Sequence, residues 1–344
     1  MFTPKSRHAS LRQRRSVLPL LLALAVPLAL AACNGGDNPL APTSEPAAEP
    51  VVGASVEPAA EPAAASYVLA AGTSQRIVFE SYRNGQGDIY KMDPQGSNVA
   101  QLTKTADADM RPAWSWDNTH TALVRARQDA SNISHTDIYV INADGSNGHW
   151  ARPTPFPYNL TDPAWSPDGS RIVLRVSIGS SSYIGWMDVA TGNVGLFNAA
   201  TGGVLGYQPQ YDKVGQRIIY LGSTYKTVEQ MNADGSGRKT RISSATMILG
   251  PTFSPDGKRI AYSKEPSDDN MEIFVKNLTD GTTKRLTNSA GSDVQPSWSP
   301  DGSKIAFASR RTGQYQIWTM PASGGSPTRI THTTTTEVAP AWSH

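Results

Sequence analysis

Six times the chain carries a proline followed two residues later by an aromatic residue, at Trp114, Trp165, Tyr211, Phe253, Trp298 and Trp342. Three residues before each of these prolines stand Asp109, Leu160, Gly206, Ile248, Asp293 and Glu337. The three carboxylates, Asp109, Asp293 and Glu337, share one position, and gathered at one end of a fold they could hold a cation or the basic side chain of a partner. Carboxylates at strand starts can also serve as local caps for backbone N–H groups. Other chemistry is thinly supplied. Cys33 is the only cysteine, so there is neither a disulfide nor a thiolate metal site. No Gly-x-Ser-x-Gly nucleophile elbow occurs. Beyond the leader, His120, His135, His149, His332 and His344 have no partner histidine at two or four residues. The Pro-Asp-Gly aspartates Asp168, Asp256 and Asp301 read as turn formers rather than paired acids.

The elements that position these residues repeat with the same period. Successive aromatics are 51, 46, 42, 45 and 44 residues apart. Between them recur a short apolar phrase ("RIVF", "RIVL", "RIIY", "RIAY", "KIAF") and a second one ("DIYKM", "DIYVI", "EIFVK", "QIWTM"). A fourth phrase closes the unit, read in "AQLT", "YNLT", "KRLT" and "TRIT". Each is short and rich in β-branched and aromatic residues, so each reads as a strand. "SPDG" and "NADGS" supply the turn chemistry between them. Four short strands every 42 to 51 residues is the period of a β-propeller blade. The aromatics, reused in almost every unit, are expected to pack between blades, with Tyr211 in a degenerate copy where "DKVG" replaces "SPDG".

Counting phrases gives an all-β, six-bladed β-propeller of four-stranded antiparallel blades over residues 75–344. The first "RIVF" has no Pro-x-aromatic strand before it, and the last, "APAWS", has no apolar phrase after it. Those two ends are expected to pair in one sheet, which removes the open edges a sheet must otherwise manage. A propeller closed in this way is expected to be monomeric.

The phrases "PAWSPDGSRIVL", "DIYVINADGSN" and the closing "LT" resemble the TolB-like β-propeller repeat, a WD-repeat-like family of bacterial envelopes. The resemblance covers 75–344 and implies a propeller that binds protein partners. It does not extend to an N-terminal α/β domain such as TolB carries, because a low-complexity stretch stands there instead.

Residues 1–32 read as an export signal: basic residues, then "SVLPLLLALAVPLALAA". Leu30-Ala31-Ala32-Cys33 resembles the bacterial lipobox, which implies lipidation of Cys33. Asn34 after it implies, by the same resemblance, delivery to the outer membrane in a two-membrane organism. Arg14-Arg15 resembles a twin-arginine motif. Residues 33–74, rich in Ala, Pro and Glu, lack the apolar bulk to repay ordering and are expected to be a disordered tether. Five of the 31 basic residues lie before position 33. The other 26 face 29 acidic ones, a net of −3, with no basic footprint for nucleic acid.

The functional expectation is a membrane-tethered envelope module that binds an envelope protein or cell-wall component through its channel face. No cofactor is expected beyond a cation held by Asp109, Asp293 and Glu337. The alternative is a carbohydrate-active lyase or hydrolase on the same face. A basic group within hydrogen-bonding reach of Asp109, Asp293 or Glu337 would be needed for that acid–base chemistry.

Overall fold

The computed structural model describes residues 75–129, 131–266 and 270–344. The leader, Cys33 and the stretch to residue 74 lie outside the described residues. One sheet joins β1 (Ile77–Ser81), β2 (Asp88–Met92) and β3 (Ala100–Gln101) to the last strand, β24 (Glu337–Trp342). The next two blades are β4 (Asp109–Trp114), β5 (His120–Gln128), β6 (Ser134–Asn142) and β7 (His149–Trp150), then β8 (Asn159–Trp165), β9 (Arg171–Ile178), β10 (Ser181–Asp188) and β11 (Val194–Leu196). The third of these consecutive sets is β12 (Tyr207–Tyr211), β13 (Arg217–Leu221), β14 (Thr227–Asn232) and β15 (Lys239–Ser243). Two more follow: β16 (Ile248–Phe253), β17 (Arg259–Lys264), β18 (Glu272–Asn277) and β19 (Thr283–Arg285), then β20 (Asp293–Trp298), β21 (Lys304–Ser309), β22 (Gln316–Pro321) and β23 (Thr328–Arg329). Every pairing is antiparallel. The protein is a six-bladed, all-β propeller.

Ring closure follows the expectation. Strand β24 pairs with β1, with Ile77 opposite Trp342 and Ser81 opposite Glu337. The pairing continues one residue past the strand, where Ser343 N–H donates to the Arg76 carbonyl at 2.8 Å. The six Pro-x-aromatic strands neighbour one another in a closed circle, β24 lying beside both β20 and β4.

The second strand of each blade is covered on both faces by adjacent blades, so its apolar residues run without alternation. All five residues of β1 are buried. The repeated aromatics pack between blades as expected. Trp298 joins Ala261, Ile273 and Val275 of the preceding blade to Ile305 and Phe307 of its own. Arginines from the preceding blade lie over two of these rings, Arg217 at 4.9 Å from Phe253 and Arg259 at 4.6 Å from Trp298.

The turn aspartates are structural. Ser166 Oγ donates to Asp168 Oδ1 at 2.6 Å, and Asp168 Oδ1 also accepts the Ser170 N–H at 3.0 Å. Gly169, with φ of 72°, closes the turn by donating to the Ser166 carbonyl. The same arrangement recurs at Asp301, where Ser299 Oγ donates at 2.6 Å, and at Asp256.

One strand assignment is corrected. "YNLT" is not a closing strand: Asn159, Leu160 and Thr161 begin β8, the innermost strand of the next blade. The closing strand there is the two-residue β7. The Pro153–Pro155–Pro157 segment separates them, and proline cannot donate to a strand ladder. Elsewhere the "LT" or "IT" threonine has a clear task. Thr103, Thr287 and Thr331 each accept, through Oγ1, the N–H of Ile89, Ile273 and Ile317 at 2.8–2.9 Å.

Candidate functional site

The innermost strands enclose a central channel with a cavity of about 440 Å³. Its wall is a ring of six prolines, Pro112, Pro163, Pro209, Pro251, Pro296 and Pro340. The residue before each proline also lines it: Arg111, Asp162, Gln208, Gly250, Gln295 and Ala339. All six are left-handed, with φ between 49° and 58°. For the five that are not glycine this costs roughly 1–2 kcal/mol each. The cost recurs because a bulge falls at this point in each of these strands, shifting the register between Met110 and Ala113 in β4 and between Val294 and Ser297 in β20. Such a bulge re-aims side chains.

Left-handed geometry takes the backbone N–H out of the blade's own ladder, and in four of the six strands a side chain of the preceding blade receives it. Gln208 Oε1 accepts from Gly250 at 2.8 Å, Gln295 Oε1 from Ala339 at 2.9 Å, and Ser263 Oγ from Gln295 at 3.1 Å. Glu80 Oε2 accepts from Arg111 at 3.0 Å, and Tyr82 O–H donates to Glu80 Oε1 at 2.6 Å. Burial pushes the Glu80 carboxyl above its ordinary pKa, against the pull of these donors. The Arg111 guanidinium bonds Asp162, whose other oxygen lies 3.7 Å from Arg175 Nε.

Asp109, Asp293 and Glu337 sit elsewhere than the sequence implied. All three are fully buried, and none lines the channel cavity. Each is turned into its own blade and held by an arginine that in turn lies over an aromatic ring. Asp109 takes two bonds from Arg125, 2.6 and 2.7 Å, and that guanidinium is 3.8 Å from the Tyr139 ring centre. Asp293 is bonded by Arg311 at 2.8 Å, over Trp318 at 4.7 Å. Glu337 is bonded by Arg83 at 3.0 and 3.2 Å, over Tyr90 at 4.1 Å. Ser81 and Thr333 hydroxyls also donate to Glu337, whose pKa burial nevertheless raises. The acid–arginine–aromatic set occupies three consecutive blades, as the order in the ring requires. The bulge explains the misplacement: it lies between these acids and the proline, so facing toward the channel passes to the residue next to the proline. A basic group does stand within reach of each acid, but a guanidinium stays charged throughout the neutral range and exchanges no proton there.

At the other end of the innermost strands, the turn position filled by Pro167, Pro255 and Pro300 is filled by Trp116, Lys213 and His344 in the remaining blades. All three line the cavity. The Trp116 and His344 rings stack at 3.7 Å, nearly parallel at 10°. Asn118 grips the His344 backbone, accepting its N–H at 2.8 Å and donating to its carbonyl at 2.6 Å. Burial, followed by the charge of Lys213, pushes the His344 imidazole down to about 3. The channel residues Arg111, Gln208, Gln295, Trp116, Lys213 and His344 carried a signal that sequence reasoning did not use: they vary at positions where the surrounding phrase repeats.

The model of the TolB beta propeller domain matches residues 227–344. The Tol-Pal system protein TolB of Pseudomonas putida is 38% identical over 73 residues, 20% of this chain and 16% of that protein. TolB of Pseudomonas fluorescens is 37% identical over a stretch of the same extent. The match thus spans less than a fifth of the length of these curated relatives. Among solved structures, TolB from Acinetobacter baumannii superposes with a TM-score of 0.68 at 20% identity, covering 78% of this chain and 67% of that one. A putative TolB from Agrobacterium tumefaciens gives 0.59 at 19%, covering 75% and 88%. An oligogalacturonate lyase in complex with manganese gives 0.52 at 14%, covering 75% and 74%, a likeness of fold alone. Over residues 227–344 the propeller of this chain is TolB-like, and the whole ring shares the fold of those solved structures.

Proposed function

We propose that the chain is a lipid-anchored binding module of the bacterial cell envelope, and that its channel face holds an envelope protein or a cell-wall component. The observation that carries this reading is the contrast between packing and channel. Aromatics, turns and strand phrases repeat from blade to blade, whereas the six residues next to the prolines differ in charge, size and polarity. Repetition serves the fold; the variation falls where a ligand would touch. The likeness to Tol-Pal system protein TolB supports a protein partner. In this reading Asp293 and Glu337 act through the arginines they hold, since Arg311 and Arg83 keep 18% and 25% of their side chains exposed, whereas Asp109 and Arg125 are sealed inside their blade.

Site-specific photo-crosslinking in cells tests the role. A crosslinker at Ala339, in the channel, is expected to capture a defined envelope partner, and one at Thr282, on an outer strand turn, is not. Capture of the same partner from both positions, or from neither, would refute a channel-centred binding module.

A further inference from the structure

Around the channel, free side-chain donors outnumber free side-chain acceptors. The backbone N–H groups displaced by the bulges consume side-chain oxygens. Gln208 and Gln295 spend theirs on Gly250 and Ala339, and Gln210 Oε1 accepts the Phe253 N–H at 3.0 Å. These bonds fix the orientation of each amide, since a flipped amide would set its NH₂ against an N–H. Each Nε2 is left without a protein partner among the described residues, and none of the three glutamines is sealed from solvent. Ser297 is in the same position: its Oγ accepts the Trp342 N–H at 2.9 Å, which leaves the O–H to donate. The Lys213 ammonium at the mouth has no ion pair or hydrogen bond among the described residues.

The side-chain carboxylates that line the cavity are already engaged. Asp162 lies between Arg111 and Arg175. Asp117 Oδ1 accepts from Ser115 Oγ at 2.6 Å, Thr119 Oγ1 at 2.8 Å and the Thr119 N–H at 3.0 Å. The side chains therefore offer three amide NH₂ groups, a hydroxyl and a free ammonium, set in an apolar wall of proline with the Trp116–His344 stack at one end.

We infer that the channel is a site for a small organic anion, a carboxylate on an apolar or ring-shaped body, drawn by Lys213 at the turn end of the innermost strands and by the glutamine amides along them. A cavity of about 440 Å³ is of small-molecule size. The inference rests on the channel being the binding face and adds the charge and hydrogen-bonding character of what enters it. It also reverses the cation expected from Asp109, Asp293 and Glu337, whose charges are spent inside the blades.

Benzoate, benzamide and benzylammonium share a ring and differ in charge, so titrating each into the purified full-length protein reads the preference directly. Benzoate is expected to bind at least about 10-fold more tightly than benzylammonium, with benzamide between, because a charge-assisted hydrogen bond outweighs a neutral one. Lys213→Met should weaken benzoate about 10-fold. Gln208→Glu keeps the acceptor for the Gly250 N–H, so folding is retained, while it replaces the NH₂ donors with negative charge. That variant should lose benzoate and gain benzylammonium. Equal binding of the anion and the cation by the unmodified protein, benzoate binding indifferent to both variants, or no binding of any probe would each overturn the inference. Crosslinking from Ala339 reports separately: a captured envelope partner without anion preference would leave the binding role standing and remove only the anion.

Discussion

Arg125 and Asp109 meet as a two-pronged pair, Nε to Oδ1 at 2.6 Å and NH₂ to Oδ2 at 2.7 Å, with both side chains almost wholly sealed from water. The low dielectric around them makes the pair matter most when it is broken. Removing one partner of a buried pair commonly costs about 3–5 kcal/mol, because the other charge is left uncompensated. Asp109→Asn is therefore expected to destabilise the propeller by about 3 kcal/mol and to lower its melting temperature by roughly 6–12 °C. Asn at 293 and Gln at 337, combined with it, should deepen the loss. A thermal melt checks this; unchanged melting of the triple variant would mean the arginines find other partners.

Closure between residues far apart in sequence makes its own prediction. Deleting 338–344 removes nearly all of β24, together with its ladder to β1 and the buried Trp342. Two sheet edges are then exposed. Loss of a single cooperative melting transition, accompanied by aggregation, is expected in calorimetry and light scattering. Melting like that of the full chain would show the ring to be held without this strand.

His344 predicts a pH dependence. Its imidazole is held neutral down to about pH 3 by burial and by Lys213, whereas in the unfolded chain it takes a proton near pH 6.5. Between those values the unfolded state binds the extra proton, so the stabilisation present above pH 6.5 is lost as pH falls. The slope from one such group is at most about 1.4 kcal/mol per pH unit. His344→Gln should flatten the stability profile of the protein across this window. Urea midpoints measured at pH 7, 5.5 and 4 would reveal it, and parallel profiles for the two proteins would contradict it.

Cys33 governs anchoring in the proposed role. Cys33→Ser is expected to move the protein from the membrane pellet to the soluble fraction, since a thioether-linked diacylglycerol cannot form on serine. One acyl chain holds a protein only marginally, whereas the two of a diacylglycerol hold it firmly, so the unmodified protein should resist a salt wash but yield to detergent. Unchanged fractionation of the variant would rule out lipid at this position.

The sequence by itself determined the architecture, because a propeller is written in local terms. Each blade repeats its own strand pattern and turn residues, so counting phrases counted blades, and the unmatched "RIVF" and "APAWS" identified the pairing that closes the ring. The tasks of Asp168, Asp256 and Asp301 were legible for the same reason: each turn is decided within six residues. The channel was decided by tertiary structure. Whether Asp109 or Arg111 faces the axis depends on a bulge between them, and the bulge is stabilised by acceptors on another blade, such as Glu80 for Arg111 and Gln208 for Gly250. Partners 31 and 42 residues away leave no local pattern. The acids that looked free in the sequence met arginines across their own blades, and the donors that remain available came from glutamines whose oxygens the neighbouring blade had taken.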